Sequence, residues 1–538
     1  MGWTDRGHIA AGLALLLAAA PLAAQQAPLS ANDWLRGGGA APAPGHSSAW
    51  RPGDPVPPDA ARLRPPSRGT APATTPEGGD IAENAGEVPV DVTRLGAADP
   101  DATGIISARQ AGLPDEFWTG TDLDTALRMI RVQPSLPASS QVAMRVLEAQ
   151  LAPPADPQGG RTGEFFGARV QRLTDAGALP QARDLLQGAG QDSPDSFRRL
   201  FDLSLLLGGD RQVCARMEAL PGIVSDPAAR IYCMAQRGDW PAAALLLTGA
   251  RRLNMIDDQM AELLARYLDD SSADAETMLP PAEPMTPLAF RLHEAIGQPL
   301  PTGDFGLEYA WTDLGERSGW KAQLEAAERL ARARALPAAS LHQLYIAQRP
   351  AASGGVWERA AAIQSLEAAL RTGDGARIGP ALETAFMRME AAGLRDAFAA
   401  MFAPRLAPEL LTGQAAHLAL WLRLWAGETE VAGAPADPLD AALLALASGG
   451  QPEGLSPALA VLAPVFASDL PPAPDPRDGI ALAPALYGAL ADSDAGIQGD
   501  LTRSARGVQT LRQLGLIADA RRVATQIALD PLLRAAAQ

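Results

Sequence analysis

The stretch LTDAGALPQARDL, residues 173–185, decides the fold expected for this chain. Near the other end, residues 511–523 read LRQLGLIADARRV and repeat its frame: an apolar residue, a glycine four positions later, an apolar residue two further on, then Ala-Arg. A third copy is AQRGDWPAA, residues 235–243, and looser copies start at Gly209 and Gly373. A glycine in this place ends a helix in the left-handed conformation, the next apolar residue packs under the turn, and the small alanine lets the following helix approach closely. Each frame therefore predicts a joint between two helices.

The composition favours the same fold class. Of 538 residues, 47% are apolar but only 5% are aromatic, and the side chains that favour strands are scarce. We therefore expect an all-α protein. The formal net charge of −17 lacks the clustered lysine and arginine that a phosphate backbone requires, so nucleic acid is excluded as a partner.

The joints resemble the turns of tetratricopeptide-like repeats, in degenerate form, because no regular 34-residue period survives. This resemblance implies a helical-repeat superhelix, or solenoid, whose concave face holds a protein or peptide. An irregular helical domain with ordinary caps is the alternative. The whole chain also resembles a loosely defined group of exported alphaproteobacterial proteins sometimes tagged antifreeze-like. An ice-binding helix needs regularly spaced threonine along one exposed face, and this chain lacks that pattern.

The first residues indicate export. An apolar run over residues 9–20 is followed by Pro-Leu-Ala-Ala at 21–24, which predicts a cleaved signal peptide over residues 1–24, with a retained anchor as the alternative. Residues 25–35 form a short amphipathic segment whose Trp34 and Leu35 are a candidate linear binding motif, although mature N-termini often simply fray. Residues 36–104, rich in proline and glycine, predict a disordered linker. No later stretch predicts a membrane span, so we expect a soluble periplasmic protein.

The remainder divides at a proline-rich segment. We expect an N-terminal helical-repeat half over residues 105–278, a break over residues 279–304 that contains Pro280, Pro281 and Pro284, and a C-terminal half over residues 305–538.

Cys214 and Cys233 are the only cysteines. Residues 210–220 and 227–237 read as two arms of a helical hairpin, and each cysteine is equally far from the centre of the turn. In an oxidising compartment this symmetry predicts a disulfide; two buried free thiols are the alternative.

Each catalytic motif that the sequence approaches lacks a second residue that the motif requires. His293 and Glu294 begin a zinc-helix motif without its second histidine, and no cofactor or metal site is expected. Ser318 and Lys321 match the S-x-x-K signature, but Lys321 is the only lysine, so the K-T-G element that such enzymes also need is missing. We interpret Ser318 as an N-cap and Lys321 as an exposed residue one helical turn before Glu325.

Large aromatic residues and cations crowd into residues 305–359 of an otherwise aromatic-poor chain, and such residues anchor protein interfaces. The candidate partner surface comprises Trp311, Arg317, Trp320, Lys321, Tyr345, Arg349 and Trp357. The alternative is that these aromatic residues fill the core between the two halves.

We therefore expect a non-catalytic scaffold that binds other periplasmic or envelope proteins, and we do not expect a small-molecule ligand. An accessory protein of the flagellar motor or of another envelope machine is the first alternative. A peptidoglycan-active enzyme related to superhelical lytic transglycosylases or to S-x-x-K enzymes is the second.

Overall fold

Helices make up nearly all the regular structure of the computed structural model, which describes residues 99–190, 193–220, 222–269, 278–467 and 481–538. The first eleven are α1 (Ala108–Ala111), α2 (Leu123–Met129), α3 (Pro137–Glu148), α4 (Glu164–Asp175), α5 (Leu179–Gly188), α6 (Pro194–Leu207), α7 (Asp210–Ala219), α8 (Pro227–Gln236), α9 (Trp240–Arg252), α10 (Asp258–Leu268) and α11 (Pro287–Ala295). They are followed by α12 (Trp320–Arg332), α13 (Ala338–Ala347), α14 (Gly355–Leu370), α15 (Gly375–Ala391), α16 (Arg395–Phe402), α17 (Gln414–Ala426), α18 (Pro438–Ser448), α19 (Pro457–Ala467), α20 (Leu482–Asp494), α21 (Leu501–Gln513) and α22 (Ile517–Ala536). The all-α prediction is confirmed.

The helix starts follow from local sequence. Ser193, Asp257 and Asp437 each stand just before a helix, and their side chains accept hydrogen bonds from backbone N–H groups of its first turn. These N–H groups have no partner inside the helix, so a side-chain acceptor stabilises each start by about 1 kcal/mol. Pro194 and Pro438 then occupy the first helical position, where a missing N–H costs nothing.

The predicted joints are present. Gly177, Gly238, Gly373 and Gly515 all have positive φ, between 68° and 87°. The alanines five positions after the glycine in the three main copies are completely buried, as close helix approach requires; they are Ala182, Ala243 and Ala520.

Two details of the joint prediction are wrong. At the loose copy near residue 209, Gly208 and not Gly209 takes the left-handed conformation. The apolar residue two after the glycine is buried at Leu179, but Trp240 and Ile517 are each 43% exposed. At the last joint the buried apolar residue is the preceding one, Leu516.

A buried arginine ties the start of the described chain to the rest. Arg169 of α4 donates hydrogen bonds to the carbonyls of Asp101, Thr103, Leu147 and Ala149. Beside these carbonyls lie two short parallel strands, β1 (Ile106–Ser107) and β2 (Ala149–Gln150). Residues 99–104, assigned to the linker, are therefore part of the fold. Hydrogen bonds from Arg169 hold these residues in place, and composition alone cannot predict such a contact.

The core has two parts. A smaller cluster lies within α6–α11, and the larger one joins helices before residue 208 to helices from α12 to α22. The last helix, α22, packs against α3 as well as against α17, α18 and α21. All the described residues belong to one compact unit. In an open solenoid each repeat contacts only its neighbours, so helices as far apart in sequence as α3 and α22 do not touch.

The predicted break over residues 279–304 contains α11, whose Leu288, Ala289 and Leu292 are buried in the smaller cluster. Phe290 of the same helix belongs to the larger cluster, so the smaller cluster gives way to the larger one within this segment.

The described part of the chain includes no helix long and apolar enough to cross a membrane. The predicted signal peptide, the segment 25–35 with Trp34 and Leu35, and linker residues 36–98 lie outside the described residues.

Candidate functional site

The candidate partner surface separates into a buried part and an exposed part. Trp320 and Tyr345 are buried, while Trp311 and Trp357 are half-buried against the larger core cluster. The indole of Trp311 donates to the carbonyl of Gly177 at 2.7 Å. Residues 305–357 therefore do not present a continuous aromatic surface, and the alternative that these aromatics belong to the core applies. Their spacing along helices was compatible with either place.

The cations of the same group do lie at the surface. Arg317, Lys321 and Arg349 are exposed, and Arg317 has a long contact of 3.9 Å with Glu294. Their exposure leaves them available for a partner, but without the aromatic anchors that the sequence suggested.

Beneath this surface lies a buried ionic network. Glu328 is only 1% exposed, and its carboxylate accepts two hydrogen bonds from Arg359, at 2.7 and 2.6 Å. The hydroxyl of Tyr345 donates to the same carboxylate at 2.8 Å, and Arg332 approaches it at 3.3 Å. Burial and the neighbouring Glu328 raise the pKa of Tyr345 above its ordinary range. All these groups satisfy one another, so the network is structural.

The S-x-x-K pair does not form a dyad. Lys321 forms an ion pair with Glu325 one turn later, at 2.6 Å, as predicted. Ser318 does not cap α12, because the N-cap residue is Gly319 and no side chain accepts a hydrogen bond there. The hydroxyl of Ser318 instead contacts Asp313 at 3.4 Å. The N-cap interpretation of Ser318 is wrong, since the helix starts one residue later than predicted.

The two cysteines meet between the arms of the predicted hairpin. The Sγ atoms of Cys214 in α7 and Cys233 in α8 are 1.97 Å apart, the distance of a disulfide bond. The helices end at Ala219 and begin again at Pro227, close to the expected bounds. The pair lies inside the smaller core cluster.

One group of side chains has the composition of a metal site. His417, Asp437 and Asp440 place ligand atoms within 4.8 Å of one another. However, Asp437 caps α18, and Asp440 accepts hydrogen bonds from the ring of His417 and the indole of Trp421, each at 2.7 Å. These hydrogen bonds give the group a structural role. The sequence does not reveal it, because the histidine and the aspartates come from different helices.

A cavity of about 420 Å³, called here the arginine cavity, lies where α22 meets α3. Its charged lining consists of Arg145, Arg172, Arg334, Arg522, Glu148 and Asp519. These residues come from α3, α4, the turn after α12, and α22. A second cavity of about 360 Å³ adjoins it and shares Gln141, Arg334 and Arg522. Four guanidinium groups thus face two carboxylates in a chain that is strongly acidic overall.

The charges in the arginine cavity are unevenly paired. Arg145 lies 2.6 Å from Asp519, and Arg522 donates to the amide oxygen of Gln141 at 2.8 Å. Arg172 has no hydrogen-bond or ion-pair partner for its guanidinium among the described residues. Burial lowers the pKa of Arg522; the neighbouring Asp519 opposes this shift, and Arg145 adds to it. Burial also raises the pKa of Glu148.

Arg334 stands where the three main copies of the joint have glycine. The N–H of the next residue, Ala335, donates to Leu330 four residues before Arg334, as Ala178 does to Leu173 across Gly177. Arg334 accordingly has a φ of 62°, a left-handed conformation that costs a side chain about 1 kcal/mol. The sequence ALPAAS after Arg334 continues the joint frame, so a search that relaxed the glycine requirement would have found it.

Helix α9 has an apolar face without a partner in the described structure. Its inward side buries Ala243 and Leu247, and Trp240 packs against Tyr267 of α10, while Ala244 and Leu245 lie exposed on the outward side. Leu245 is 75% exposed, and Leu253 in the following turn is 70% exposed. Such side chains, gathered on one helix and its turn, are typical of an interaction surface.

Comparisons with protein-family models, with curated proteins and with solved structures find no match to this chain.

Proposed function

We propose that the protein is a periplasmic, non-catalytic scaffold that binds another envelope protein through the outward face of α9. The observation that carries the proposal is the exposure of Leu245 and Leu253 on a helix whose other face is already packed. Burying one such leucine contributes about 1.5–3 kcal/mol to association, before the costs of binding.

The partner chemistry follows from the surroundings of this face. Arg251 and Arg252 are exposed at the C-terminal end of α9, next to Leu253. A partner helix with one apolar stripe and acidic residues at its end would match both features. The module that carries α9 also holds the disulfide, which keeps the helices behind this face in place. Export and the oxidising compartment that the cysteine pair requires support a periplasmic location.

Site-specific photocrosslinking in the native host tests this proposal. A photoreactive residue at position 245 should give one defined crosslinked partner whose attachment sites fall on an amphipathic helix. Position 410 is the matched control, because Leu410 is also an exposed leucine, 55% exposed, but lies away from α9. Leu253→Glu should abolish the crosslink from position 245, while Leu410→Glu should not. Identical products from positions 245 and 410, or no product from 245, would contradict the proposal.

A further inference from the structure

The arginine cavity has features that the scaffold function does not require. Its lining converges from residues near 145, 172, 334 and 520, so it exists only when α22 is in contact with α3. Its volume lies within the range of cavities that hold small molecules. Guanidinium groups of this kind recognise carboxylate and phosphate through paired hydrogen bonds.

The carboxylates that line the arginine cavity are too few to balance the positive charge of its four arginines. Asp519 forms its ion pair with Arg145, and Arg522 donates its hydrogen bond to the neutral side chain of Gln141. The Nε atoms of Arg172 and Arg522 are buried and without a hydrogen-bond partner among the described residues. Buried cations without matching anions are unfavourable, and an entering oxyanion would supply both the charge and the acceptors.

The backbone at Arg334 provides an independent observation. A glycine would serve the joint with less strain, yet an arginine occupies the position and lines both cavities. Its guanidinium contacts Asp396 and the Ser135 carbonyl at 2.9 and 2.8 Å, which holds it at the boundary between the two cavities. Strained backbone of this kind is concentrated at functional sites.

We propose that the arginine cavity binds a small anionic molecule carrying a carboxylate or phosphate group, with Arg172 and Arg522 as its main ligands and Arg334 at its rim. This binding is separate from the protein contact on α9 and uses none of its residues.

Isothermal titration calorimetry of the mature protein at low ionic strength tests the proposal, with inorganic phosphate in one arm and succinate in the other. We expect saturable binding of at least one probe with one molecule per chain, weakened by added salt. Binding of phosphate alone would identify a phosphorylated ligand class, and binding of succinate alone would identify a carboxylate class.

Variants separate this site from nonspecific binding. Arg172→Gln and Arg522→Gln should each weaken binding by about tenfold, the loss expected for one charge-assisted contact. Arg371→Gln is the matched control, because Arg371 is exposed and lies outside the cavity, and it should leave the affinity unchanged. If either glutamine variant fails to fold by circular dichroism, Arg334→Asn replaces it, since asparagine tolerates the left-handed turn. Failure of both probes to bind, or equal affinity in the Arg172 and Arg371 variants, would overturn the proposal.

Discussion

Arg359 holds Glu328 through two parallel hydrogen bonds, Nε to Oε1 at 2.7 Å and Nη2 to Oε2 at 2.6 Å, inside the packing of α12 against α14. The pair lies in the stretch whose aromatic and basic residues suggested an interface. Tyr345 and Arg359 from this stretch therefore serve to satisfy a buried carboxylate.

The first prediction concerns this pair. Glu328→Ala leaves the Arg359 charge buried without its partner, and should lower the free energy of unfolding by about 3–5 kcal/mol. The double variant Glu328→Met with Arg359→Met removes both charges and should recover much of that loss. Urea denaturation of the wild type, Glu328→Ala, the single variants Glu328→Met and Arg359→Met, and the double variant measures the coupling. A double variant as unstable as the sum of the singles would contradict the assignment.

The second prediction concerns the disulfide. Replacing Cys214 and Cys233 together by alanine opens a loop of 19 residues and should cost about 3 kcal/mol in the chain-entropy account. Thermal unfolding with and without reductant measures the effect. Wild type should lose stability on reduction, whereas the alanine variant should not respond. Equal stability of oxidised and reduced wild type would be inconsistent with a bond formed in the native protein.

The third prediction concerns His293, which is fully buried and whose ring nitrogens have no hydrogen-bond partner among the described residues. Burial lowers its pKa below the ordinary value of 6.5. The unfolded chain therefore takes up a proton at a higher pH than the folded one. The contribution of His293 is fully present above about pH 6.5 and is lost as the pH falls through the lower pKa of the folded state.

His293→Leu should remove this part of the acid sensitivity. Urea unfolding at about pH 8 and about pH 5 should show a smaller difference for the variant than for wild type. At the higher pH the variant should also be more stable by about 1 kcal/mol, because it no longer buries an unsatisfied polar group. An unchanged difference between the two pH values would contradict the prediction.

The fourth prediction concerns the S-x-x-K match. Ser318→Ala and Lys321→Ala should each change the free energy of unfolding by only a few tenths of a kcal/mol, because each removes one weak or exposed contact. The phenotype of the host should stay that of wild type in both variants. Loss of function in Ser318→Ala, with folding and crosslinking from position 245 preserved, would show that the serine acts in catalysis and not in structure.

Local spacing predicted the features that depend on few neighbouring residues. The helix joints at Gly177 and Gly515, the hairpin of Cys214 and Cys233, and the Lys321–Glu325 pair follow from positions close in sequence. Such features depend on backbone conformation and helix periodicity, both of which can be read along a short stretch of chain.

The features that were missed depend on distant segments. Arg169 donates hydrogen bonds to carbonyls that lie twenty or more residues away in sequence. In the arginine cavity, Arg145 pairs with the distant Asp519. A single sequence offers no measure of such contacts. Arg334 was missed for a different reason. The joint frame was defined by glycine, so it did not include an arginine whose backbone forms the same turn as Gly177.

The packing of α22 on α3 has a consequence for the order of folding. More than 350 residues separate the two helices, and α22 is the last helix of the chain. Until α22 is present, the backbone N–H of Ala138 and the side chain of Arg145 in α3 lack their partners Gln526 and Asp519. Closing so long a loop carries an entropic cost that depends only weakly on its length, but the contact cannot form until α22 has been synthesised. A chain shortened at its C-terminus would therefore lose stability at its N-terminal end, where the deleted residues are furthest away in sequence.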